Sequence, residues 1–216
     1  MVKGLIKLGG TGYLKVLSRP LLPTAYLAPI SYYAILLQSS NCKIEHYEHF
    51  IKQSIRNRCE IYGANGKLCL TVPRKHNGSS KTIITNIKIS YKEKWQKEHW
   101  NSIVSSYNSS PFFEHYKDKI KPLFTEQEVY LVNFNKKLQE EILAILDINI
   151  KYLPTIKYNN KGSFTDLRNY KFNNQKMKRY DQVFMGKHGF IPNLSILDLI
   201  FNLGNESKDY LSNLSI

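Results

Sequence analysis

Arg56-Asn-Arg58 places two guanidinium groups two residues apart. On a strand that spacing points both to one face, followed by Glu60 and Tyr62. Paired guanidinium forks suit a carboxylate or a phosphate. The plainer alternative is that Glu60 or another carboxylate pairs with them at a sheet edge, where ion pairs are common and worth little. Arg74-Lys-His76 extends the basic character to a second segment. Trp95, His99 and Trp100 fall within about one and a half helical turns. His99 is therefore either a proton-transfer group beside an indole or a core histidine bonded to a neighbour. In Lys187-His-Gly-Phe-Ile-Pro-Asn-Leu-Ser-Ile-Leu-Asp198, a histidine-bearing turn runs into a helix start. Such a start favours anions. His188 can act there as a general base with Asp198 orienting it, or Ser195 through Asp198 can simply be a variant capping box.

Other chemistries are not supported. Leu8-Gly-Gly-Thr-Gly-Tyr13 is glycine-rich, and Gly10 and Gly12 fit a dinucleotide fingerprint, but Lys15 stands where the last glycine belongs. Arg19-Pro20 and Pro23 then forbid the long helix that must follow. There is no phosphate-loop lysine motif, no serine elbow and no metal-ligand spacing, so no cofactor and no metal are expected. Cys42, Cys59 and Cys69 are an odd number at unrelated spacings, which fits a reducing cytoplasm.

The elements that must position these residues follow from periodicity and turn chemistry. Pro20–Leu27 reads as a short buried strand and turn, and Pro29 opens a helix over Ile30–Gln38. Lys43–Tyr47 is a short strand. Asn57–Tyr62 and Lys67–Val72 flank Asn65-Gly66 as a hairpin, with Leu68, Leu70 and Val72 on its buried face. Ile83–Ser90 and Asn149–Leu153 are further strand candidates. Helices are predicted over Lys92–Tyr107, Pro111–Phe124 and Val129–Leu146, the last opened by the capping box Thr125-Glu-Gln-Glu128. Residues 154–179 are polar and read as a long loop or insert. A short helix capped by Asn193 or Ser195 runs to Leu203 and ends at Gly204. The pattern predicts an α/β fold, with mixed α+β as its alternative: a small mixed sheet with an early hairpin and about five helices packed on it.

The chain has 216 residues, 42% of them apolar, enough for one sizeable core. The longest apolar runs are half what a membrane span needs, and Met1–Ser18 lacks an unbroken apolar stretch, so a cytoplasmic protein is expected. The net charge is +14, carried by 25 lysines against 6 arginines spread along the chain. That excess reflects either AT-rich codons, which also supply the many Asn and Ile residues, or a surface for a polyanion.

Several segments, taken in order, resemble the WbqC-like family in its shorter form. They are Leu22-Pro-Thr-Ala-Tyr-Leu27, Gln53-Ser-Ile-Arg-Asn-Arg58, Ile61-Tyr-Gly-Ala-Asn-Gly-Lys67 and Leu70-Thr-Val-Pro-Arg-Lys-His76, then Trp95-Gln-Lys-Glu-His-Trp100, Tyr107-Asn-Ser-Ser-Pro-Phe-Phe113 and Lys187–Gly204. The resemblance implies one domain over residues 20–204, an extension over 1–19 and a tail over 205–216. It implies a link to O-antigen and other surface-polysaccharide biosynthesis, as a transferase. On that reading Arg56, Arg58 and Arg74 bind an anionic sugar nucleotide or acyl donor, with Thr24, Tyr26 and Asn193 beside them, and His188, oriented by Asp198, or His99 moves the proton. The competing readings are a non-enzymatic protein that binds RNA or another polyanion, and an adaptor in a surface-assembly complex.

Overall fold

The computed structural model describes residues 19–75, 81–150, 152–159, 162, 164–172 and 177–215. The glycine-rich Leu8–Tyr13 motif, His76 and the expected extension before Arg19 lie outside them. The fold is α/β. Strand β1 (Pro20–Pro23) leads through helix α1 (Ile30–Gln38) to β2 (Lys43–Glu45), and the two strands pair in parallel with Leu22 opposite Ile44. The hairpin β3 (Arg58–Gly63) and β4 (Gly66–Thr71) forms its own two-stranded sheet, Cys59 opposite Leu70. Gly66, at φ +98°, supplies the left-handed residue its turn needs. Leu70 and Val72 are buried as the alternation requires, whereas Leu68, nearer the hairpin tip, is 39% exposed.

Helices α2 (Trp95–Tyr107), α3 (Phe113–Ile120) and α4 (Leu131–Ile145) follow. The single helix expected over Pro111–Phe124 is divided. Pro122 has no N–H to continue the ladder, and Lys121–Phe124 tightens into a 3-10 turn. The Thr125 capping box is not formed. The Thr125 hydroxyl donates to the Pro122 carbonyl instead, and α4 begins at Leu131. Ile83–Ser90 is not a strand but a 3-10 turn over Ile84–Asn86 with isolated bridges on either side.

Two-residue strands β5 (Leu153–Pro154) and β6 (Thr165–Asp166) complete a parallel sheet of order β5-β2-β1-β6 among the described residues. β5 falls at the end of the expected strand Asn149–Leu153, whereas the polar stretch expected as a loop contributes the edge strand β6, and Leu167 and Phe172 enter the core. After the single turn α5 (Met185–His188) comes α6 (Ile196–Leu203), five of whose six apolar residues, Ile196, Leu197, Leu199, Ile200 and Phe201, are fully buried. Burying each contributes about 1.5–3 kcal/mol. Ser195 is the N-cap, its hydroxyl accepting from the Leu197 N–H, and Gly204 ends the helix at φ +54°. Residues 205–216 were expected as a tail. They instead hold α7 (Ser207–Ser212), which packs on α1 because Leu211 and Leu214 must leave water.

Candidate functional site

The four parallel strands end on the same side, and the polar residues of the fold collect there. Glu45 closes β2, Asp166 closes β6, and Thr155 and Arg168 follow β5 and β6. In α/β folds this carboxyl edge is where ligands bind. Glu45 is fully buried, accepting the Thr155 hydroxyl at 2.6 Å and the Asn159 N–H at 3.0 Å. Arg168 forks onto Asp166 with Nε and Nη2 at 2.9 and 2.8 Å and reaches Glu45 at 3.4 Å. Tyr158 lies under its guanidinium at 4.7 Å. The hydrogen bonds that Arg168 donates to Asp166 raise the Arg168 pKa.

Arg56 belongs to this network. It lies in the turn before β3 rather than on the strand, so the shared face expected for Arg56 and Arg58 does not form. Its Nε and Nη2 meet the two Glu48 oxygens at 2.7 and 2.6 Å, and Nη2 also donates to the Arg168 carbonyl. Both side chains are nearly inaccessible. Burial raises the Glu48 pKa, and the hydrogen bond from Arg56 opposes that rise. Arg56 is therefore a structural cation whose fork is occupied.

Arg58 is different. The neighbouring carboxylate Glu60 is taken by Lys67 at 2.9 Å, and Glu48 by Arg56. Among the described residues the Arg58 guanidinium has no hydrogen bond or ion pair, and its buried Nε has no acceptor. An unmatched buried donor costs about 1–3 kcal/mol. Arg58 lines a cavity of about 530 Å3 beside the carboxyl edge, with Arg56, Arg168, Lys171 and Asn193 also on its wall. Among the described residues, five basic ones (Arg56, Arg58, Lys67, Arg168, Lys171) and one acidic one, Glu60, line this space. Leu27, Gln53 and Asn193 on the same wall have φ of +41°, +55° and +57°. Left-handed backbone at non-glycine residues is sparse, and it gathers at ligand sites. Asn193 Oδ1 accepts the Ser31 N–H at 2.9 Å and so caps α1 from 162 residues away. Its Nδ2 carries no partner among the described residues.

The other expected site residues lie elsewhere. Tyr26 and His99 hold each other in the core, Tyr26 Oη to His99 Nδ1 at 2.8 Å, with Trp95 edge-on to the imidazole. Burial pushes His99 down to about 4, although a hydrogen bond with the Thr71 backbone opposes it. This is the neutral core histidine of the plainer reading. Thr24 is buried and accepts from Asn135 Nδ2. Arg74 lies over the Phe50 ring at 5.4 Å. His188 sits at the hairpin tip, its Nε2 2.9 Å from the Ala64 carbonyl. Asp198 is fully buried and bound by the Tyr180 hydroxyl at 2.5 Å and Gln182 Nε2 at 2.7 Å, so it does not orient His188. Nor does its carboxylate close a capping box, since the Ser195 N–H goes to the Glu60 carbonyl. Burial raises Asp198 to about 6, against the pull of Tyr180, Gln182 and Tyr107.

Of the residues expected to bind substrate, the cavity brings together Arg56, Arg58 and Asn193. Sequence reasoning missed Glu48, Arg168 and Lys171. The only local signal was Asp166-Leu-Arg168, a charge pair two residues apart at a strand end.

A family model described as the WbqC-like protein family matches residues 24–169 and again 157–210. The uncharacterised protein Rv1507c of Mycobacterium tuberculosis is 26% identical over 196 residues, covering 75% of this chain and 83% of its own length. No solved structure matches the chain.

Proposed function

The chain belongs to the WbqC-like protein family, and we propose that it is a transferase that takes an activated anionic precursor, a sugar nucleotide or acyl donor, in polysaccharide-related biosynthesis. The observation that carries this reading is the unpartnered Arg58 guanidinium on a cationic cavity of about 530 Å3. A phosphate or carboxylate would satisfy that fork with two parallel hydrogen bonds. Arg56 and Arg168, already neutralised, add orientation more than charge. Lys171 and the Asn193 amide supply further donors. The family name carries an association with surface polysaccharide, which supports the choice of precursor. Glu60 is the carboxylate on this wall among the described residues, so we assign it, in place of His99 and His188, the role of proton acceptor.

The test is a thermal-shift screen of the purified chain against nucleotide sugars, acyl donors and short RNA. A ligand at a hundred times its Kd stabilises the folded state by about 2.7 kcal/mol, and at this chain length each kcal/mol moves Tm by about 2–4 °C. A shift with one small-molecule class, lost in Arg58→Ala, is expected. A shift confined to RNA that collapses as salt rises would replace this reading with polyanion binding by the lysine-rich surface.

A further inference from the structure

A second cavity, of about 860 Å3, lies between residues 178–183 and the end of α6 with α7. Its chemistry is the reverse of the first. Asp181, Glu206 and Asp209 face it against Lys178 and Arg179, in a chain with 31 basic and 17 acidic residues. All three carboxylates are exposed, and none forms an ion pair among the described residues. An anion gains little in such a setting, whereas hydroxyl groups find acceptors.

Asn202 points independently to a ligand. Its side chain is nine-tenths buried, and Nδ2 donates to the Asp198 carbonyl at 2.7 Å. Asn202 lines the cavity, and its remaining Oδ1 has no hydrogen-bond partner among the described residues. Tyr180 and Tyr210 stand edge to face at 5.4 Å. Both hydroxyls are engaged, Tyr180 with Asp198 and Tyr210 with the Lys178 carbonyl at 2.6 Å. Their rings therefore offer carbon surface to the cavity, beside the acidic residues and Asn202 that line it. Aromatic carbon next to convergent acceptors matches a ligand with hydroxyls on its edges and C–H groups on its faces.

We propose that this second cavity binds a neutral saccharide. That the saccharide serves as the acceptor for group transfer rests on the transferase reading; the binding site itself does not.

Saturation-transfer NMR of the full chain with glucose, galactose, N-acetylglucosamine and maltose tests it, with Kd taken from titration. At least one sugar is expected to bind. Asp181→Ala/Asp209→Ala and Tyr210→Ala should each weaken that sugar about tenfold or more, the scale of one lost interaction of 1.4 kcal/mol. Arg58→Ala should leave it unchanged, and the double aspartate variant should keep any nucleotide-sugar thermal shift. The two aspartates are exposed, so that variant carries the test even where Tyr210→Ala fails to fold. Failure of all four sugars to bind, or binding indifferent to the cavity variants, overturns the proposal. Loss of binding in Arg58→Ala overturns it too, by moving the sugar to the first cavity. Saccharide binding without any nucleotide-sugar or acyl-donor shift would leave this site standing and remove the transferase reading.

Discussion

Two arginines two residues apart have opposite fates, and the cause is the supply of carboxylates. Arg56 donates two short hydrogen bonds to Glu48 out of water. Breaking such a pair by removing one partner leaves a buried charge and costs about 3–5 kcal/mol, whereas replacing both with apolar side chains of similar volume is often neutral. Glu48→Ala should therefore destabilise the chain by about that amount. Glu48→Leu/Arg56→Met should recover most of it, as read from urea unfolding midpoints with unchanged m-values. A Glu48→Ala loss below about 1 kcal/mol would mean that Arg56 finds other partners. The double variant should weaken ligand binding less than Arg58→Ala does, because Arg56 already has its carboxylate and adds orientation more than charge. The charge pattern around Arg56-Asn-Arg58 was legible in the sequence. The partition between them was not, because Glu48, eight residues earlier, and Arg168, 112 residues later, meet Arg56 only once the parallel sheet has formed.

At the scale of elements, local chemistry showed the hairpin, α1, α2, α4 and α6, each within a few residues, because their apolar spacing or turn residues act locally. It missed β6 and α7. A two-residue strand has no period to read, and α7 is held by α1 rather than by its own pattern. Gly204 shows how two such elements interlock. The sequence marked it as the stop of α6, which it is, at φ +54°. Its lack of a side chain also matters elsewhere. A Cβ there would lie 2.5 Å from the Phe112 ring, and the Phe112 N–H is bound to the Phe201 carbonyl of α6. Two segments of the family resemblance, Tyr107–Phe113 and Lys187–Gly204, meet at this point. Gly204→Ala combines left-handed strain of about 1–2 kcal/mol with overpacking of about 1–3 kcal/mol. Calorimetry or denaturant titration should show a loss of about 2 kcal/mol or more, and Gly204→Ala/Phe112→Ala should relieve only the steric part. A neutral Gly204→Ala would show that Phe112 can move aside freely.

At the scale of the whole molecule, the net charge of +14 conceals a division into a cationic cavity at the carboxyl edge of the sheet and an acid-lined one beside α7. A similar opposition governs the response to pH. Burial holds His99 down at about 4, so the folded state binds fewer protons than the unfolded chain between about pH 4 and 6.5. Stability from this group therefore rises with pH across that window. Burial holds Asp198 up at about 6, so the folded state binds more protons between about pH 3.8 and 6, and stability from this group falls as pH rises. Each shift corresponds to about 3 kcal/mol. His46, lowered by burial, adds to the first slope, and Glu48, raised by burial, adds to the second. The two slopes oppose each other over nearly the same interval, so the stability of the native chain should change little between pH 4 and 6. Single substitutions should unmask them with opposite signs. Asp198→Asn should become more stable as pH rises from 4 to 6.5, and His99→Asn less stable as pH rises from 4 to 6, whatever offset each carries from lost hydrogen bonds. Urea midpoints at half-unit pH steps measure both slopes. Parallel curves for the native chain and the two variants would show that neither buried group changes its protonation on folding.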